Sequence, residues 1–562
     1  MKKRLLLVAA VLSLSAGRAH GQDVAQRGRV HGTPLPRAAR EQLARDAGAY
    51  EFRTALKSEL EAVRAARSRL RARGINPQLL APRQAAAQGV AVQGTYRIPV
   101  FAIQYANTAA PPYASSELQR KLFTGPSSTR TLTQLYTEMS RGLVTLTGAV
   151  GDWTRASQPD TVYEGVDNGL RAGLLGPLFK EVLDQADRTV DFRQYDGNGD
   201  GYVDFVAFVH PEAGGECHPD SRNVWSHRWT YQAATANREP YYQTNDGVRI
   251  SDYVIQPAYN CGSTSVIDIG VFAHEFGHAF GLPDLYDTNP DGSTNDGIGD
   301  WGLMGTGNYR QPWSPTHMEA WSKVELGWMP VVTLNQSAAR VLLDPAETVG
   351  SAVRIDIPPL AGSTAPSGEY FLLENRQRIG SDEFLPGTGL LVWHVDSVQI
   401  ANTRRFNQLQ VTTSRKGLDL EEADGRAELD RPGDRGDSGD PFPGFLQNRT
   451  FGAATRPNSN ANRGHTSGVT LSGITETGQQ VTFALEIGRG GERIAYWGDV
   501  DDDGVLSAAD VTALTSESLG RASGAPALSR GDVDANGRID ARDVLIVQSF
   551  IAGMEVSRFR VG

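Results

Sequence analysis

Cysteine is almost absent: Cys217 and Cys261 are the only two in 562 residues. That excludes a disulfide-stapled scaffold, so the fold must rest on buried apolar surface with at most one bridge to help it. A basic excess is absent too. The net charge is −10 and no segment interleaves basic with aromatic residues, which excludes nucleic acid as a partner class. Beyond residue 14 no apolar stretch is long enough to cross a bilayer and no C-terminal lipid or sorting signal is present, so no membrane span is expected. The early apolar run Leu5–Leu14 comes after Lys2, Lys3 and Arg4 and precedes Ala19-His20-Gly21, the arrangement of a signal peptide over 1–21 and hence of a secreted protein. In an oxidising compartment Cys217 and Cys261 are expected to pair, contributing roughly 3–4 kcal/mol.

Histidine is scarce as well, ten in the chain, yet two stand four apart in His274-Glu275-Phe276-Gly277-His278 within the apolar run Val271–Leu282. On a helix both imidazoles share one face and can reach one metal ion, with the glutamate between them. The alternative, a buried helix with chance histidines, does not account for the residues just beyond it. Gly281 suits the left-handed end of a helix and Pro283 cannot continue one, so the chain turns and swings Asp284 back as a third ligand. Two imidazoles, one carboxylate and an open position form a catalytic zinc set, with Asp287 and Glu319 as fallback ligands. Met304, in Asp300-Trp301-Gly302-Leu303-Met304-Gly305, has the setting of a Met-turn beneath the metal. The spacing H-E-x-x-H-x-x-G-x-x-D resembles the metzincin signature with aspartate for the third histidine. Zinc at such a site acts as a Lewis acid on water and carbonyl, and Glu275 is the general base that moves the proton to the leaving amine. Tyr309 and His317 are candidates to assist the oxyanion, with a structural role favoured for each.

The length calls for several domains. Residues 22–93 read as a prodomain and linker: Phe52, Leu56, Leu60, Val63 and Leu70 recur at helical spacing in an Arg-rich stretch, and Pro77, Pro82 and the Ala/Gln run 84–88 break the pattern. This basic helix is expected to lie on the acidic remainder as a chaperone or inhibitor, with cleavage near Arg83. Having no cysteine, it cannot hold a latent form through a thiolate on zinc. Residues 94–330 mix strands (Tyr96–Tyr105, Leu143–Val150, Phe205–Val209) with helices (around Ser116–Phe123, Leu132–Arg141 and Leu174–Ala186), an α/β catalytic domain with an edge strand for substrate pairing. Short turn-bounded strands over 331–490 suggest a β-sandwich, including Tyr370–Asn375, Gly389–Val395, Val469–Ile474 and Gln480–Ile487. The fold class is thus multidomain α+β.

Residues 496–556 hold the one clear internal repeat. Asp499, Asp501, Asp503, Val505, Ser507 and Asp510 recur at an offset of 33 as Asp532, Asp534, Asn536, Arg538, Asp540 and Asp543, each set a calcium loop with glycine at its sixth position and an apolar helix after it. Val505 and Arg538 contribute backbone carbonyls. This small all-α module resembles a type I dockerin, which implies calcium-dependent docking to a cohesin on a scaffold or surface; a self-contained calcium-stabilised cap is the alternative. Asp196, Asn198, Asp200, Tyr202 and Asp204 alternate around a glycine turn as a further calcium loop, although Ala207 fills the twelfth position. Asp284–Asp300, dense in Asp and Asn, is a weaker calcium candidate.

Several of these motifs together resemble the immune inhibitor A family of secreted bacterial metallopeptidases. The residues that carry the likeness are Tyr195–His210, Val224–Trp229, His274–Asp287, Gly299–Gly307, Pro315–Trp328, Tyr370–Arg376 and Gly389–Asp396. The resemblance implies a zinc-dependent, calcium-stabilised endopeptidase made as a precursor and acting on proteins or peptides. The rival reading is a catalytically idle metallopeptidase fold used as an adhesin or binding protein.

Overall fold

The computed structural model describes residues 57–127, 129–217, 221–289, 295–492, 498–500, 506–521, 531–534 and 538–551. Residues 1–21, expected to be a signal peptide, and Phe52, Leu56, Asp501, Asp503, Val505 and Asn536 lie outside the described residues. The basic helix α1 is Lys57–Ala72. Val63, Ala66 and Leu70, three or four apart, form its buried face. The linker expected after it is instead partly helical. Pro82–Ala87 folds as a short helix, α2, because proline is tolerated in a first turn and alanine is the best helix former. Ala85 and Ala86 then pack with Val90 and Ala91 against Ala66 and Leu70.

The next elements are β1 (Gly94–Gln104), α3 (Leu132–Met139), β2 (Val144–Val150), α4 (Leu175–Ala186), β3 (Ala207–Ala213), β4 (His227–Thr230), β5 (Asp252–Tyr259) and α5 (Ile269–Ala279). Their sheet runs β2-β1-β3-β5-β4, with Thr154–Arg155 pairing to β1 beside this path. All these pairings are parallel except β4 on β5, which is antiparallel and at the edge. β3 starts two residues later than its apolar run suggests, since Asp204 N–H still bonds back to Tyr195 O at 2.9 Å. Alternation divides β1 between two cores. Tyr96, Ile98 and Val100 face α3 and α5, whereas Phe101 and Ile103 face Leu178, Phe179 and Val182 of α4. Three layers result, with α5 clamped against one sheet face by Phe272 and Phe276. The sulfurs of Cys217 and Cys261 are bonded, with Cα atoms 5.1 Å apart, so the ends of β3 and β5 are tied just ahead of α5.

After α6 (Ala320–Leu326) come β6 (Val331–Thr333), β7 (Ala338–Leu343), β8 (Ala352–Asp356), β9 (Glu369–Arg376), β10 (Gly389–Asp396), β11 (Leu418–Leu420), β12 (Val469–Thr477) and β13 (Gln480–Ile487). A five-stranded sheet, β11-β10-β9-β8-β6, faces a three-stranded sheet, β7-β13-β12. Phe371, Leu373, Leu390 and Val392 share a core with Leu471, Val481, Phe483 and Leu485. The opposite face of the same strands, through Leu372, Leu391, Trp393 and Val395, joins the core that holds α5. The five-stranded sheet is therefore a middle layer, buried on both sides. Buried charge fastens the layers: the Arg376 guanidinium lies 2.6 Å from Asp382 and 3.1 Å from Glu347, and donates to Trp301 O at 2.9 Å. In the tail, α7 (Ala508–Ser518) and α8 (Ala541–Ile551) succeed the repeat loops. Leu514, Val533 and Val547 make their small core.

Candidate metal centre

The helix α5 ends where the sequence requires. Gly281, at φ +82°, donates its N–H to His278 O at 2.8 Å, and Leu282 donates to Gly277 O at 3.2 Å. This pair of bonds is a Schellman end, and only glycine takes its left-handed position without strain. The chain reverses, and Asp284 returns to the face that carries both histidines. Its Oδ1 lies 2.9 Å from His274 Nε2 and 3.2 Å from His278 Nε2. Each imidazole is aimed by its other nitrogen: His274 Nδ1 meets Leu303 O at 2.9 Å, and His278 Nδ1 meets Leu282 O at 2.8 Å. With Nδ1 turned to a backbone carbonyl in each ring, Nε2 is the nitrogen that faces Asp284 and that would offer its lone pair to a metal in place of a proton.

Asp284 is held in turn by a residue that carries no signal in the sequence. Asn407, itself left-handed at φ 55°, donates from Nδ2 to Asp284 Oδ2 at 2.5 Å and accepts from Asp284 N–H at 2.8 Å. Thr288 Oγ1 donates to Asn407 O. Tyr286 likewise stands outside the motif, although it lies only two residues past Asp284; its ring stacks on His274 with centroids 6.0 Å apart. Burial, reinforced by the Asp284 and Glu275 charges, pushes the Tyr286 phenol well above its usual range, so it stays a neutral donor. Beneath the site, a Cβ on Gly277 would stand 2.3 Å from Met304 Sδ. The glycine inside the motif therefore lets a fully buried methionine sulfur press against the helix.

Electrostatics reflect this packing. Burial alone would raise the Asp284 carboxyl, but the two imidazoles outweigh it and hold the group far below the carboxylate range. Burial lowers His274, whereas its hydrogen bond to Asp284 and the nearby carboxylates raise it to about 8. Burial raises Glu275, and His278 and His274 oppose that rise. The donor set of two nitrogens and one oxygen fits zinc, and Glu275 is buried beside it without ligating. The two fallback ligands stand elsewhere. Glu319 caps α6, accepting from Ser322 N–H at 2.8 Å, and Asp287 accepts from Asn289 N–H at 2.8 Å. His317 is occupied at both ring nitrogens, 2.9 Å from Glu138 Oε1 and 3.1 Å from Lys323 Nζ, in a buried network away from the cluster. Tyr309 stays closer: burial, with the charges of Glu216 and Glu275, pushes its phenol well above the usual range.

The tail shows its repeat in its hydrogen bonds. Asp510 accepts from Val500 and Ser507 N–H at 2.9 and 2.8 Å, and Asp543 accepts from Val533 and Asp540 N–H at 2.7 and 2.8 Å. Both twelfth-position aspartates thus close their loops in the same way. Asp532, Asp534 and Asp543 bring one carboxylate oxygen each within 4.8 Å of one another.

Residues 112–330 match the immune inhibitor A peptidase M6 catalytic domain, and residues 497–552 match the dockerin type I domain. The chain carries a peptidase M6 domain and a type I dockerin. The M6 match begins after β1, although β1 lies inside the same sheet. Two relatives are similar over about a third of the chain. Pre-pro-metalloprotease PrtV of Vibrio cholerae serotype O1 (strain M66-2) is 30% identical over 232 residues, covering 36% of this chain and 24% of the relative. Immune inhibitor A of Bacillus thuringiensis subsp. alesti is 33% identical over 214 residues, covering 33% of this chain and 29% of the relative. The chain thus spans under a third of the length of each. Within the M6 domain, the loop Asp196–Asp204 is tied by its own turns: Asp196 accepts from Asp200 and Gly201 N–H at 3.1 and 3.0 Å, and Asp200 accepts from Tyr202 N–H at 2.9 Å. Asn198 accepts from Asp200 N–H at 3.0 Å, and Asp204 accepts from Gly197 N–H at 3.0 Å. Among the described residues, this loop does not gather three carboxylates at one point. No described helix is long and apolar enough to cross a membrane.

Proposed function

We propose that this protein is a secreted zinc metalloendopeptidase whose metal is held by His274, His278 and Asp284 and whose general base is Glu275. The convergence of two histidine Nε2 atoms on one Asp284 oxygen, with each ring aimed by a backbone carbonyl, carries the reading. Zinc bound there supplies a positive charge that acidifies water and polarises a peptide carbonyl. Glu275 accepts the proton of the attacking water and returns it to the departing nitrogen; its raised pKa brings it closer to the operating range of such a base. The antiparallel edge strand β4 offers a substrate backbone a pairing surface. The tail is proposed to bind calcium through Asp499, Asp501, Asp503, Val505, Ser507 and Asp510, and through the matching set Asp532, Asp534, Asn536, Arg538, Asp540 and Asp543, and to dock a cohesin-bearing scaffold. Asp196–Asp204 is proposed as a further calcium loop. Residues 22–93 act as the prodomain; α1 rests on α6 through Arg67, which donates to Val324 O at 3.0 Å.

Replacing Glu275→Gln tests the mechanism. Casein hydrolysis is expected to fall about 10³-fold while bound zinc stays at the parent's stoichiometry. Hydrolysis at the parent's rate would remove Glu275 from the reaction. Calcium-dependent capture by cohesin modules tests the tail, and capture unchanged in chelator would refute the loop assignment.

A further inference from the structure

A third group of side chains that could hold a cation lies in the β region, apart from the motifs that carry the peptidase and the dockerin. Glu422, Asp424, Glu428 and Asp440 bring one carboxylate oxygen each within 4.8 Å of one another. Asp440 is 1% exposed, and its Oδ2 accepts from Trp301 Nε1 at 2.8 Å and from Asp437 N–H at 3.0 Å. Its Oδ1 is buried with no hydrogen-bond partner, as is Glu428 Oε2. Asp424 Oδ2 also lacks a hydrogen bond, with Arg426 Nε 3.5 Å away. Glu422 accepts from Glu428 and Leu429 N–H at 2.7 and 3.0 Å, which bends the chain back into a cup. Half-exposed Arg426 also stands 3.4 Å from Glu428. A single charge at those distances does not balance four carboxylates. Burying an anionic oxygen without a donor is costly, and a cation among the orphaned oxygens would offset that cost where protonation does not.

We propose that Glu422, Asp424, Glu428 and Asp440 form a calcium site that latches segment 422–440 onto the loop carrying Met304. An all-oxygen donor set excludes a preference for zinc, and irregular donors from a bent loop suit calcium better than the strict octahedron of magnesium. The latch is visible in the backbone. Asp296 N–H bonds Leu429 O at 3.0 Å and Asp300 N–H bonds Arg435 O at 2.8 Å, while a Cβ on Gly299 would stand 2.4 Å from that same Arg435 oxygen. Calcium at the cup would thus fix the register of the strip that positions Trp301 and Met304.

The test uses the full chain, stripped with chelator and dialysed against calcium and zinc. The double variant Asp424→Asn/Glu428→Gln is expected to bind one calcium fewer per chain than the parent while keeping its zinc; an equal calcium count overturns the proposal. Hydrogen exchange of the parent gives an independent reading. Calcium should slow exchange across 426–440 and 296–304 by about tenfold or more, equivalent to about 1.4 kcal/mol of local opening. Exchange there that does not respond to calcium would equally overturn it.

Discussion

The histidine site and the carboxylate cup solve opposite electrostatic problems. At His274, His278 and Asp284 the ligands are of unlike charge type, so they pair with one another at 2.9 and 3.2 Å, and Asn407 completes the carboxylate. At Glu422, Asp424, Glu428 and Asp440 all donors repel, and three of their buried oxygens have no hydrogen bond. The first constellation is held by its own hydrogen bonds, whereas the second, as proposed, is balanced by a cation. The donor set therefore decides whether a site is preformed or assembled on binding.

The largest effect that would sharpen this contrast is on stability against pH. Asp440 and Glu422 are pushed up to about 7 and about 9 in the folded protein, above the ordinary carboxylate range that they regain on unfolding. The folded state therefore binds more protons than the unfolded one between those limits, and stability is lost as pH rises through them. In chelator the unfolding free energy should fall by several kcal/mol from about pH 5 to about pH 8, and calcium should flatten the slope. A slope unaffected by calcium in denaturant titrations would break the comparison. Next in size, Gly277→Ala should destabilise by about 1–3 kcal/mol, because its Cβ meets the buried Met304 sulfur. Thermal unfolding reads that loss. Asn407→Ala should weaken zinc binding about 10–100-fold, measured by competition with a chromophoric chelator, with little change in calcium content. The smallest expected effect is the most discriminating one. Removing zinc alone should leave hydrogen exchange in 269–286 nearly unchanged, in contrast to the response of 426–440 to calcium loss.

The features legible in the sequence are local. His274, Glu275, His278, Gly281 and Asp284 fall within one helix and its turn, so their spacing already encodes geometry, and the repeated aspartates of the tail do the same. Two cysteines leave one intrachain pairing, and the bridge forms. The features that escape a sequence reading depend on distant chain. Asn407 reaches Asp284 across 123 positions, and Asp440 reaches Trp301 across 139. The double burial of β9 and β10 is hidden because Glu374 and Arg376 look like surface residues until their buried partners are known. The stretch around Pro82 is helical where a linker is expected, because proline breaks a helix in its interior but not in its first turn.

That short helix has a bearing on the proposed prodomain and its expected cleavage near Arg83. Arg83 is exposed but lies within α2, and a protease binds its substrate as an extended chain, so α2 must unwind before any cut there. Scission would not by itself free the leader. Ala66 and Leu70 would still grip Ala85, Ala86, Val90 and Ala91, and Arg67 would still hold Val90 O at 3.2 Å. If residues 22–93 are the prodomain proposed above, cleavage at Arg83 would turn a covalent leader into a bound subunit, whose departure is a dissociation step governed by dilution and by competitors for the same groove.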